Sequence, residues 1–411
     1  MNEKKTPGWL IETQNKSWEP EILISGITLT FLFIISSHIY NFYGMLTQDF
    51  GVYDKITKLS YGISVYTLVG LKIILVVHLI LRGIWTGFVG LSYVYPDGVN
   101  RQRLRKADTD VDFYKPEQYV IIIEKICSLL FSFIFSSITF IIGIFIIYIP
   151  ITLLFLVGLD MTYIHYSTMV ILSIVAILLV LMVIFNKKLK KTGFEQLVGN
   201  SIFNNAFVIY YTNIGRIKTG AMFALYFLIV IGLSFSDISK YNFDNDESVE
   251  ISSTADIVDL DRDHYEALRN QKLRIPRATI DRFQVTDDKM ELFISFYKED
   301  IYTIKKLEND RELAREFNVG SDSTRVGLPE LYEVTIDDTP VTGLRWYSID
   351  NTYTSQKGIV TKIPLGALRH GYHELRINKI LWDINDSEMI RIVNWDAIPF
   401  EMDNTLKNTD R

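Results

Sequence analysis

Lys72, His78, Arg82 and Asp160 are ionisable residues inside otherwise apolar stretches of the chain. A charge in hydrocarbon is expensive, so such residues commonly line a proton or ion path, or face one another. His78 and Arg82 stand four apart, with Trp85 three further on, which is the spacing of one helical stripe. With Lys72 and Asp160 they could equip a small transporter or channel component. The blander reading puts Arg82 at the cytoplasmic interface with Trp85, and lets Lys72 snorkel or pair with Asp160 or Glu124. Gly83, Gly87 and Gly90 follow at i, i+4 and i+7, a stripe that lets another backbone approach closely. Packing against a neighbouring span is its simplest use, and a homo-oligomer contact is the other.

Elsewhere the chemistry is sparse. Asp259-Leu-Asp261-Arg-Asp263-His has the alternating acids that open a calcium loop, but such a loop needs Gly at its sixth position and Glu at its twelfth. Those positions hold His264 and Asn270. Asp108-Thr-Asp110-Val-Asp112 fails the same test at Phe113 and Tyr119. Both read as solvated acidic loops. His370-Gly-Tyr-His373 flanks a turn, and no nearby cysteine completes a zinc site. Metalloprotease, phosphate-loop, nucleophile-elbow and dinucleotide motifs are missing. No catalytic, cofactor-binding or metal-ligating residue is assigned, and no cofactor is expected. The single cysteine, Cys127, excludes an intrachain disulfide.

The elements that would hold these residues are set by an uneven charge distribution. Residues 1–235 carry 19 Lys+Arg against 14 Asp+Glu, a net of +5, and residues 236–411 carry 23 against 34, a net of −11. The first part also holds uncharged runs near the ~20 residues that a helix needs to cross a bilayer. A wholly soluble protein is excluded, and so is a wholly embedded one. The acidic second part argues against nucleic acid as a partner. Five spans are predicted, at about 22–40, 59–81, 126–149, 165–185 and 219–235, after a charged N-terminus at 1–21. The apolar pattern of the second continues to Tyr95-Pro96. Between Lys125 and Lys187 the only formal charge is Asp160, and Pro150 with Gly158-Leu-Asp160 supplies the break for a hairpin. Residues 193–215, with basic clusters on both sides and Asn200, Asn204 and Asn205 in their middle, suit an interfacial helix.

Orientation follows from the basic flanks. Arg101, Arg103, Arg105, Lys106 and Lys115 precede the third span, and Lys187, Lys188, Lys190 and Lys191 follow the fourth. Both clusters belong in the cytoplasm. The N-terminus is then cytoplasmic, and the C-terminal part lies outside, as in a multi-pass protein of a bacterial inner or plasma membrane.

Residues 236–263, rich in Asp, Ser and Asn, read as a linker. Beyond them the period becomes two. A hairpin is expected from Thr279–Val285 and Lys289–Tyr297, a helix over Ile301–Phe317, and strands at Leu331–Ile336, Gly343–Tyr347, Gly358–Ile363, Tyr372–Asn378, Glu388–Asn394 and Ile398–Met402. Short strands at this spacing predict a mainly antiparallel β-sandwich with one interposed helix over 264–403, then a tail at 404–411. The run Leu365-Gly-Ala-Leu-Arg-His-Gly-Tyr-His-Glu-Leu-Arg-Ile377 resembles the approach to a late strand in immunoglobulin-like sandwiches. That resemblance implies a fold class and no particular ligand.

The expected class is thus an α-helical transmembrane domain joined to a soluble β-domain. Its expected function is non-enzymatic: the β-domain binds a protein, peptide or envelope component outside the cytoplasm while the helices anchor it in the lipid bilayer. The rivals are a transporter using Lys72, His78 and Asp160, and an enzyme acting on a lipid-linked substrate at the membrane interface.

Overall fold

A computed structural model of the chain describes residues 18–100, 103, 113–134, 209–210, 212–249, 260–320, 325–383 and 387–403. The chain divides into two units. One takes Met1–Ser37, Ile63–Ile151 and Ile171–Ile238, and the other takes His38–Gly62, Thr152–Val170 and Ser239–Arg411.

Three helices among the described residues are long and apolar enough to cross a membrane: α1 (Trp18–Gln48), α2 (Asp54–Val94) and α3 (Arg216–Ser239). They contain the segments expected at 22–40, 59–81 and 219–235. At 41 residues α2 runs far past its expected end. It is about 60 Å long, twice the hydrocarbon thickness, because no breaker interrupts it before Pro96. Residues 116–134 form a further helical stretch. The remainder of the expected third span, the whole of the fourth, most of the 193–215 segment and the tail lie outside the described residues.

In the helical unit, aromatic side chains join α2, residues 116–134 and α3. Phe133 meets Phe223 at 4.9 Å and Tyr226 at 5.5 Å, and Tyr66 stacks on Phe227 at 6.2 Å. Gly70 permits the approach: a Cβ there would lie 2.4 Å from Tyr226 Oη. Leu23, Ile27, Phe31, Leu225, Leu228 and Leu233 remain exposed on the outer faces. So much exposed apolar surface suits a lipid environment better than water.

The second unit opens with the turn between α1 and α2. Gly51, at φ 66, closes α1: its N–H reaches Thr47 O and the Val52 N–H reaches Leu46 O. Gln48, fully buried, donates to the Ile275 and Pro276 carbonyls and accepts from Arg274 and Gln356. Arg274 also pairs with Asp49 at 2.8 Å. Part of the expected linker is built into this unit. Residues 236–239 finish α3, and Tyr241, Phe243, Asp244 and Asn245 are buried beyond it. Tyr241 stacks on Tyr61 at 4.6 Å and bonds Thr47.

Residues 278–402 form two mostly antiparallel sheets. The first, ordered β1-β3-β7-β6, uses β1 (Ala278–Ile280), β3 (Lys289–Ser295), β7 (Lys357–Pro364) and β6 (Trp346–Asp350). The second, ordered β2-β9-β8-β4-β5, uses β2 (Gln284–Val285), β9 (Glu388–Met402), β8 (Gly371–Asp383), β4 (Tyr332–Ile336) and β5 (Thr339–Pro340). Alternation drives this arrangement: Met290, Leu292 and Ile294 of β3 and Leu375 and Ile377 of β8 turn into one buried hydrophobic cluster shared by both sheets.

In the β-domain the structure differs from expectation at four places. The strand expected at Gly343–Tyr347 lies three residues further on, as β6. The expected first hairpin is split. Its leading arm supplies β1, paired with β3, and β2, which crosses to the other sheet and lies parallel beside β9. The single expected helix is two, α4 (Lys298–Asn309) and α5 (Arg311–Glu316), because Asp310 turns its carboxylate onto the Glu312 and Leu313 N–H groups and starts a new helix. The strands expected at 388–394 and 398–402 are one. Asn394, at φ 54, donates its N–H to Asn378 Oδ1, so an irregularity absorbs the kink and pairing resumes. Asp337 and Asp338, both at positive φ, form the tight turn from β4 to β5 expected at Asp-Asp-Thr-Pro.

Candidate functional site

Both units concentrate polar chemistry or open surface. In the helical unit, α1 presents Glu21 and Ser25, α2 presents His78 and Arg82, and the 116–134 stretch presents Glu124. Each pair within a helix is four residues apart, so it shares a face. The Arg82 guanidinium is 1% exposed and bonds Glu21 Oε2, with Glu124 Oε2 at 2.7 Å and Oε1 at 3.3 Å. His78, fully buried, has Nδ1 3.1 Å from Ser25 Oγ and Nε2 3.7 Å from Glu21 Oε2. The Trp85 ring lies 5.3 Å from the guanidinium. Two carboxylates thus face one guanidinium and one imidazole. Charge-assisted bonds offset part of the cost of burying these groups.

Of the intramembrane residues singled out by sequence, the structure joins His78 and Arg82. Lys72 stands apart, half-buried, its ammonium 5.2 Å from the centre of the Phe33 ring. Asp160 lies outside the described residues. Around Gly83, Gly87 and Gly90 a Cβ would meet nothing within 4 Å among the described residues. Sequence reasoning missed Glu21, grouped with the charged N-terminus, and weighed Glu124 only as a partner for Lys72. The available signal was that these are the carboxylates next to the apolar runs on α1 and the 116–134 stretch.

In the β-domain a groove of about 510 Å³ opens beside β4, β5 and β8. Val341, Leu344 and Trp346 give it apolar walls, and Tyr332 and Val334 lie deeper. At its rim Arg391 pairs with Glu333 at 3.1 Å. Next to it, β6 ends the first sheet and among the described residues pairs only with β7, leaving one main-chain edge open with Tyr347 62% and Ile349 45% exposed. An apolar groove with a charged rim next to an open strand edge can accept an extended chain.

Behind the groove the domain buries charge. Lys379 pairs with Asp300 at 2.7 Å, both fully buried, under the rings of Trp395, Tyr297 and Tyr332 at 4.6, 4.8 and 5.2 Å. His264 meets the buried Asp396 at 3.0 Å. Three more carboxylates, from Asp54, Asp244 and Asp246, lie within 4.8 Å of one another, where each pair repels by about 3.5 kcal/mol at an effective dielectric near 20. Burial and the Asp244 charge push Asp246 up to about 6, and burial and Asp246 push Glu299 upward as well.

The acidic loops and histidines considered from sequence have local uses. Asp261 caps the 3-10 turn Arg262–His264 through the Asp263 N–H. His373 sits between Asp337 at 2.6 Å and the Arg369 carbonyl at 2.8 Å. Asp108, Asp110 and Asp112 lie outside the described residues. Compared with protein-family models, curated proteins and solved structures, the chain finds no match in any of the three.

Proposed function

We propose that the protein is a multi-pass membrane protein that works by binding. Its two sheets pack as a β-sandwich outside the cytoplasm and take up an extended segment of a protein, peptide or envelope component, while the helices hold the domain at the bilayer. The observation that carries this reading is the 510 Å³ groove alongside the open β6 edge with its exposed Tyr347 and Ile349. Main-chain bonds along an added strand would supply affinity, and side-chain pockets the specificity. The basic flanks at 101–106 and 187–191 support a cytoplasmic N-terminus and, with five spans, an external domain.

Two measurements test this. A photo-crosslinking residue at Tyr347, in the full-length protein in cells, should yield a discrete adduct, whereas the same residue at Tyr302 on α4 should not. An adduct-free Tyr347 variant would count against the reading. With Cys127 replaced by Ser, Ser355→Cys should react with an impermeant maleimide on intact cells and Ser201→Cys should not. The reverse pattern would move the domain to the cytoplasm.

A second reading, proton or ion translocation, is favoured by the buried Glu21–His78–Arg82–Glu124 cluster. Liposomes carrying the protein under a pH gradient discriminate. Dissipation that His78→Ala abolishes supports translocation, and an intact gradient supports binding.

A further inference from the structure

Asp54 begins α2, and Asp244 and Asp246 lie in the segment after α3. Asp54 and Asp244 are each 5% exposed, and Asp246 is half-buried. One carboxylate oxygen from each lies within 4.8 Å of the other two. Asp54 Oδ2 accepts the Asn245 N–H at 2.8 Å. Its other oxygen, Oδ1, is closed off from solvent and has no hydrogen-bond partner. A buried carboxyl oxygen left bare inside a group of like charges is met either by a proton or by a positive partner.

Among the described residues no side chain supplies such a partner by direct contact, and Lys379 and Lys55 act on Asp246 only as charges at a distance. Among the described residues no basic group is ion-paired with any of the three acids. Lys379 is engaged by Asp300 and by Asn245 Oδ1, each at 2.7 Å. Arg277 donates to the main-chain carbonyls of Asp244, Glu247 and Trp395. Lys55 is exposed, near Tyr53. Glu299, which accepts from Asn245 Nδ2 at 3.2 Å, adds a further carboxylate.

We propose that Asp54, Asp244 and Asp246 hold a divalent cation of calcium type, with Asp54 Oδ1 as the innermost ligand. An all-oxygen donor set selects a hard cation. Ligands on opposite sides of calcium are about 4.6–5.2 Å apart, and of magnesium about 4.0–4.2 Å. Three oxygens within 4.8 Å of one another leave room for an ion of calcium's size. The half-exposed Asp246 leaves a route for the ion and for the waters that complete its shell. Bound there, the ion ties the start of α2 to the segment after α3 within the C-terminal unit. The site is independent of the groove and of the binding reading.

The test uses the full-length protein in detergent, stripped with EDTA and titrated separately with Ca²⁺, Mg²⁺ and Tb³⁺. Trp395, whose indole N–H donates to the Asn245 carbonyl at 3.1 Å, provides an emission signal next to the site. Ca²⁺ should raise the unfolding temperature, change tryptophan emission and displace Tb³⁺. Asp54→Asn and Asp246→Asn should weaken binding at least about 10-fold, the loss that even an outer-shell partner causes. Should Asp54→Asn fail to fold, Asp246→Asn decides, because its side chain accepts no hydrogen bond among the described residues. No response in the wild type above about 1 mM Ca²⁺, the weak end for calcium modules, would overturn the proposal. Unchanged affinity in Asp246→Asn, or a preference for Mg²⁺, would do the same.

Discussion

Replacing Lys379 by Met tests whether the β-domain depends on its buried ion pair. The two side chains are close in length and volume, so the exchange removes the charge and leaves little cavity. The ammonium now sits 2.7 Å from Asp300 Oδ1, and both residues are fully buried. Without it, Asp300 keeps, among the described residues, the Tyr297 N–H at 3.2 Å and the Tyr332 hydroxyl at 3.1 Å. An uncompensated buried carboxylate costs about 3–5 kcal/mol. The three rings around the ammonium lose a cation contact that contributes about 2 kcal/mol when desolvated, part of the same total. For a domain of this size the loss corresponds to about 6–20 °C in unfolding temperature. The assay is thermal unfolding of the full-length protein in detergent, followed by tryptophan emission. Asp300→Asn, which preserves the cap on α4, should also destabilise by stranding Lys379. The double variant Lys379→Met/Asp300→Asn should lose much less than the two single losses together, because neither charge is then left alone. A Lys379→Met shift below about 2 °C, or strict additivity in the double variant, would refute the reasoning.

Three further outcomes follow from the same geometry. Burial alone would pull His264 down, but Asp396 and Asp261 together raise the imidazole, while His264, Arg277 and the Ala278 N–H together lower Asp396 against its burial. The His264 contribution is complete below its unfolded value of about 6.5 and fades as pH rises through its higher folded value, and that of Asp396 holds above about 3.9 and fades as pH falls through its lower one. Wild-type unfolding temperature should therefore decline from weakly acidic to mildly alkaline pH more steeply than that of His264→Gln, and parallel profiles would contradict this. Gly44→Ala should cost about 1–3 kcal/mol, since its Cβ would fall 2.5 Å from Phe243 Cζ in a ring held by Tyr40 and Tyr241, each 5.0 Å away; adding Phe243→Leu should recover part of the loss in a melting experiment. Arg82→Leu should lower the stability of the solubilised protein by about 3–5 kcal/mol by stranding Glu21 and Glu124, and Arg82→Leu with Glu21→Gln and Glu124→Gln should regain much of it; wild-type melting of Arg82→Leu alone would show that the cluster carries no weight.

Local pattern was enough for whatever depends on neighbours in the chain. Uncharged runs at 22–40 and 219–235 mark α1 and α3 because a long apolar helix needs no partner to be recognised. Alternation in Tyr372–Asn378 marks β8, and Asp337-Asp338 marks a turn, since both depend on residues a few positions apart. The break at Asp310 escaped notice because a charged stretch without Gly or Pro reads as one helix, and only the bonds of its carboxylate reveal the cap. The move of β2 to the second sheet was equally hidden, because two residues carry no periodicity.

The charged groups divide in the same way. The shared stripe of His78 and Arg82 was visible as a spacing of four, but their partners Glu21 and Glu124 come from other helices. Lys379 looks like any strand lysine until Asp300 and three rings close around it. Asp54 meets Asp244 and Asp246 across some 190 residues, at a place where neither local acidic motif pointed. Sequence by itself determined the apolar helices, the β-rich C-terminal part and the charge division between them, because propensity and periodicity act over short distances. Which charges meet, and which carboxylate oxygen is left bare, the tertiary structure alone decided, because burial and pairing are properties of segments brought together only by folding.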